Sequence, residues 1–170
     1  MTLAELDHGE TPAVAAALAR CCGASAWVSG MLAQRPFGDR AAVHAAADAA
    51  FAPLARADLL EAFSHHPRIG DIAGLRERFA STARWASGEQ SGASAADEIT
   101  LRRLAKGNVD YEARHGHLFI VCATGLTAGE MLGRLEARLM NDPDLEMRTA
   151  AAEQLKITHL RLDKLLEVSP

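Results

Sequence analysis

Apolar positions recur along most of the chain at helical spacing, and short polar caps precede them. Thr11-Pro12 reads as a cap with proline at the first helical position and opens a helix over Ala13 to Cys21. A second runs through Ala24 to Gln34 and stops at Arg35-Pro36-Phe37-Gly38, because a proline disfavours helical geometry in the residue before it. Asp39 caps an alanine-rich helix to about Pro53, and a shorter one, about Ala57 to Ser64, ends against Pro67. Ser94 and Asp97 resemble a capping box that opens a long helix to about Arg114. On it Leu101, Leu104, Ala105, Asn108 and Tyr111 share a face. Leu118 to Ala123 is an apolar run too short to arbitrate between buried strand and extended segment. Thr127 with Glu130 forms a capping box ahead of Leu132, Leu135 and Leu139, and Asp142-Pro143 starts a last helix to about Leu166.

Between His66 and Gly92 the period weakens. Pro67, Gly70, Gly74, Gly88 and Gly92 interrupt short helical pieces around Arg76 to Phe79 and Thr82 to Trp85. The pattern predicts an all-α, single-domain bundle of roughly six to eight helices over 1–170, with its chemistry where the regularity fails.

Composition agrees. Of 170 residues, hydrophobic types make up 49% and aromatics only 5%, and about a fifth are alanine, which favours helices over strands. No apolar run is long enough to span a bilayer. A net charge of −4 with no clustered basic face makes nucleic acid an unsuitable partner. The three cysteines give no disulfide framework, since Cys21 and Cys22 are adjacent. Free thiols without a signal-peptide pattern lead us to expect a cytoplasmic protein.

Three places could carry chemistry. His66 stands at a helix end with Pro67 fixing the backbone beside it, and an imidazole there can exchange protons near neutrality or merely complement the helix dipole. Ser87, Glu89 and Gln90 crowd orientable polar groups between glycines, which suits holding a small polar ligand or simply a polar loop. Arg161, with Ile157 and Leu165 four residues to either side, either snorkels to water or reaches an anion with its planar fork. The pairs His65-His66 and His115-Gly116-His117 raise a metal reading, but no zinc-type ligand spacing accompanies them, and we expect no metal. Cys122, inside an apolar run, reads as a small core residue.

Taken in order, Trp27-Val28, Arg35-Pro36-Phe37, His66-Pro67-Arg68-Ile69-Gly70, Glu89-Gln90, Asn108-Val109-Asp110-Tyr111, Phe119 to Ala123, Arg138 to Asp142 and Lys156 to Leu162 resemble OHCU decarboxylase, where OHCU is 2-oxo-4-hydroxy-4-carboxy-5-ureidoimidazoline. The resemblance covers about residues 20 to 165. It implies an all-helical, cofactor-free homodimer of urate degradation that converts OHCU to (S)-allantoin and carbon dioxide. It casts His66 and Glu89 as catalytic residues, and Pro67, Gln90, Arg161 and the main chain around Phe119 and Ile120 as substrate-binding positions. The family's serine, three residues before the glutamate, is Ala86 here, so Ser87 is taken as its counterpart. His115 and His117 stand where the family would have aromatic side chains, which suggests as an alternative a divergent member acting on another ureido or imidazoline compound; separately, the chain could be a helical interaction module that keeps the fold without the activity.

Overall fold

The computed structural model describes residues 1–68, 75 and 92–167, the side chains of 92–97 excepted. Among the described residues there are eight α-helices and no strand, so the chain is all-α. None of these helices is long and apolar enough to cross a membrane. The pieces expected around Arg76 to Phe79 and Thr82 to Trp85 lie outside the described residues.

Two compact units divide the chain, 1–66 with 149–170 and 67–148. The first begins with α1 (Leu3–His8), which the apolar period does not reveal. A capping box makes it: the Thr2 amide donates to Glu5 Oε2 at 2.7 Å and the Glu5 amide to Thr2 Oγ1 at 3.1 Å. In α2 (Thr11–Cys21) the cap residue is Glu10 and Thr11 is already helical, one place earlier than expected, while Val14, Ala17, Leu18 and Cys21 turn inward. From α3 (Ser25–Ala33) the fully buried Trp27 donates its Nε1 hydrogen to the Ala47 carbonyl at 3.1 Å. On α4 (Arg40–Phe51), opened by Asp39, alanines let helices approach closely: a Cβ on Gly30 would lie 3.0 Å from Ala50 Cβ.

The Arg35-Pro36-Phe37-Gly38 turn is held by α1. Asp7 accepts from the Phe37 and Gly38 amides at 2.8 and 3.1 Å, and Arg35 reaches the carbonyls of Asp7 and Gly9. The unit closes with α5 (Arg56–Ser64) and the later part of the last helix, α8 (Pro143–Glu167), which buries Ala150, Gln154, Thr158, Leu162 and Leu166.

In the second unit, α6 (Gly92–His115) begins at Gly92, before the Ser94 start that the sequence suggests, and α7 (Ala128–Leu139) opens at the expected Thr127–Glu130 box. Leu101, Leu104, Ala105 and Tyr111 pack with Met131, Leu132 and Leu135. Asn108 lies on that face as expected, half-buried, and donates to the Leu104 carbonyl one turn back at 2.8 Å. Residues 118–123 belong to neither helix nor strand, and Phe119, Ile120 and Val121 are buried there.

Candidate functional site

His66 follows His65, the C-cap of α5, and its amide donates to the Phe63 carbonyl at 3.1 Å. Its ring nitrogen Nε2 lies 2.7 Å from Gln154 Oε1, on α8. Gln154 is fully buried and donates from its own amide nitrogen to Thr158 Oγ1 at 3.3 Å, one helical turn on. Thr158, also fully buried, donates to the Gln154 carbonyl at 3.0 Å. A half-buried imidazole is thus tied to a dry, hydrogen-bonded pair on the last helix.

Arg161 stands further along α8. Its Nη1 donates to the carbonyls of Arg20 and Cys21, each at 3.3 Å, where α2 ends and unpaired carbonyls attract a cation. It thereby joins Arg20, Cys21, His65, Lys164 and Leu165 in lining a cavity of about 570 Å³. Burial pushes the Cys21 thiol up to about 11 despite the opposing charges of Arg161 and Arg20, so Cys21 is a neutral wall at physiological pH. Gly23 explains how the chain passes so near: a Cβ there would fall 2.3 Å from His65 Cγ.

In the second unit the Phe119–Ile120 main chain is fixed from one side. Arg138 donates from Nη1 to the Ile120 carbonyl at 2.8 Å, with its guanidinium carbon 4.7 Å above the Phe119 ring. Its remaining nitrogens grip the fully buried Glu146, Nε at 2.9 Å, while Asn141 donates to the other carboxylate oxygen at 2.7 Å and the Tyr111 hydroxyl donates as well. Burial by itself would raise the Glu146 carboxyl, but Arg138, Tyr111 and Asn141 outweigh it and hold the group below its usual range. Burial first, and then Glu146, drives the Tyr111 hydroxyl far up, so that it remains a donor.

His115 and His117 are buried beside Tyr111, with ring centroids 4.6 and 5.5 Å from it. They serve as core rings, the role that the aromatic side chains expected at those places would fill.

The structure therefore brings His66 and Arg161 onto partners in the first unit, and places Phe119 and Ile120 in the second. Pro67 is exposed, and Ser87, Glu89 and Gln90 lie outside the described residues. Sequence reasoning misses Gln154, Thr158, Glu146 and the basic companions of Arg161. The usable signal was Gln154, Thr158 and Arg161 at helical spacing on one stripe of α8.

Fold and site together define an all-helical chain whose candidate chemistry gathers at helix ends, with polar side chains of the last helix supporting it. The chain belongs to the OHCU decarboxylase family, which it matches over residues 8–163. It is 40% identical over 148 residues to the uric acid degradation bifunctional protein TTL of Arabidopsis thaliana, an overlap of 85% of this chain and 45% of that one. To a 2-oxo-4-hydroxy-4-carboxy-5-ureidoimidazoline decarboxylase of Amia calva it is 33% identical over 104 residues, 60% of this chain and 58% of the relative. The chain thus spans about half the length of these curated relatives. A crystal structure of OHCU decarboxylase obtained in the presence of (S)-allantoin superposes with a TM-score of 0.69 at 37% identity, covering 93% of this chain and 99% of that one.

Proposed function

We propose that this chain is a carboxy-lyase that converts OHCU to (S)-allantoin and carbon dioxide in urate degradation. The observation that carries the reading is the likeness, over nearly the full length of both chains, to an OHCU decarboxylase whose crystals were obtained with (S)-allantoin.

The substrate's chemistry supports a reaction without a cofactor. The carbon that loses its carboxylate also bears a hydroxyl and adjoins a carbon–nitrogen double bond. When the carbon–carbon bond breaks, its electron pair forms a new carbon–carbon double bond, and the imine pair moves to the ring nitrogen, which takes a proton. The resulting enol then gives up its hydroxyl proton while the neighbouring carbon accepts one on a single face. The protein's part is to orient the carboxylate, to stabilise charge at nitrogen and oxygen, and to deliver that proton.

In this reading His66 and Glu89 exchange the protons. Arg161 and Gln90 clamp the carboxylate or ureido oxygens, for which a planar fork of donors is suited. Pro67, Ser87 and the main chain of Phe119 and Ile120 complete the substrate contacts. The cavity beside Arg161 is of a size to take a small anion and is lined by three further basic side chains, which supports the clamp.

The test is to supply freshly generated OHCU and follow allantoin by chiral detection. His66→Ala should lower kcat by at least about 100-fold, the scale of general acid–base catalysis. A parent protein giving racemic allantoin at the spontaneous rate, or a His66→Ala protein as active as the parent, overturns the assignment. The same reading expects a homodimer in the cytoplasm. The buried, unbridged thiols of Cys21 and Cys22 fit a reducing compartment, and the exposed apolar Ile99, Val109, Met140 and Leu145 offer contacts for a partner copy. Light scattering across protein concentrations reads the mass directly.

A further inference from the structure

The pair Gln154–Thr158 favours one neutral form of His66. Thr158 has one hydroxyl proton, and the acceptors set for it are the Gln154 main-chain carbonyl at 3.0 Å and the Cys22 sulfur, neither of them the Gln154 side chain. Toward the Gln154 side chain the hydroxyl can therefore only accept, so the amide nitrogen must face Thr158, as it does at 3.3 Å. That turns Oε1 toward His66, 2.7 Å from Nε2. A carbonyl oxygen has no proton to give, so Nε2 must carry one. Gln154 and Thr158 are both fully buried, so leaving either polar side chain without a partner would be costly.

From this geometry we infer that Gln154 is a positioning residue for the reaction. It fixes the His66 ring and its Nε2–H tautomer, so that Nδ1 is the nitrogen that takes up and returns the catalytic proton. The inference rests on the reading of His66 as an acid–base group. Gln154 touches no reacting atom in this scheme and acts through the imidazole, as the orienting partner of a catalytic histidine does. Thr158 in turn keeps the amide from flipping, since a reversed amide would present its NH2 to Nε2 and favour the other tautomer.

Two measurements on the full chain test this. With 15N-labelled histidine, long-range proton–nitrogen correlation spectra should show His66, assigned by its disappearance in His66→Ala, as the Nε2–H tautomer above its pKa. An Nδ1–H signal would overturn the inference. In kinetics, Gln154→Leu should lower kcat about 10-fold or more with KM nearly unchanged, and Thr158→Val should do the same to a smaller degree. Gln154→Glu places a carboxylate against Nε2, which favours the imidazolium and should move the His66 limb of the pH–rate profile upward. Should Gln154→Leu fail to fold, the other two variants carry the test, because a purely structural role would not move the pH profile.

The two possible failures separate cleanly. A fully active His66→Ala removes the proton-transfer reading itself. An inactive His66→Ala beside Gln154 and Thr158 variants with the parent's kcat and pH profile leaves that reading intact and refutes the positioning role.

Discussion

Glu146 keeps its charge without water because donors meet both of its oxygens, with Arg138, Tyr111 and Asn141 supplying them. Removing the charge strands a guanidinium and a phenol in a dry core, and breaking such a pair costs roughly 3–5 kcal/mol. Glu146→Gln should therefore lower unfolding free energy by an amount of that order in urea titrations at neutral pH. Since the folded carboxyl lies below its ordinary value of 4.5, its contribution is complete above that value and is lost as the pH falls through the folded pKa. The gap between parent and Glu146→Gln should accordingly narrow as the pH is lowered below 4.5. A second expectation concerns the thiols. Burial raises both Cys21 and Cys22, whereas Cys122 is only half-buried, so alkylation of the native protein should mark Cys122 first, as peptide mass mapping would show. At this scale the positions of His66 after a helix end and of Arg161 on the last helix were legible, but not the partners they meet there, Gln154 and the carbonyls of Arg20 and Cys21. Glu146 was not, because a glutamate in the first turn of a helix reads as a solvated dipole partner until its neighbours are known.

Caps and small residues set several helices in this chain beside their apolar period. The Thr127–Glu130 and Thr2–Glu5 boxes have the same grammar, yet only the first is followed by an apolar stripe long enough to be read as a helix. The crossing of α6 and α7 depends on Gly107, where a Cβ would fall 2.6 Å from Leu135 Cδ2. Leu135 is fully buried and has little room to swing away. Gly107→Ala gains roughly 1 kcal/mol of helix propensity and loses about 1–3 kcal/mol to overpacking, so we expect net destabilisation, measured as a lower midpoint in urea. On α4 and α8 four side chains form a chain of their own. Asp163 meets His44 Nε2 at 2.8 Å, the two histidines meet through their Nδ1 atoms at 2.6 Å, and His159 Nε2 meets Asp48 at 2.7 Å. His159→Ala removes two of these three contacts. Because the rings remain about a quarter exposed, the cost should be only about 1 kcal/mol by the same titration. The sequence places these residues on helices but cannot pair the helices, since nothing local links His44 to a partner 115 residues away.

The first unit is assembled from both ends of the chain, which joins its stability to the proposed chemistry. Its closure depends on one face of α8, where Gln154, Thr158 and Leu162 are each fully buried and recur every fourth residue, with Leu166 next in the row. The polar half of that row holds His66 across 88 residues of sequence, and the apolar half supplies packing. Helical spacing makes such a row legible, but not its destination, because the pattern gives the period of a buried face and not the helices that cover it. Leu162→Ala tests whether the two halves act as one. The cavity should cost about 2–5 kcal/mol, within the range for a buried leucine in a close-packed core. If the face is a rigid platform for His66, kcat should also fall at temperatures well below the unfolding transition, with KM little changed, because the imidazole loses orientation before the helix loses its place. Unfolding curves and kinetics on the same preparation decide this: a large loss of stability with an unchanged kcat would mean that Gln154 and Thr158 keep their geometry without the packing beneath them.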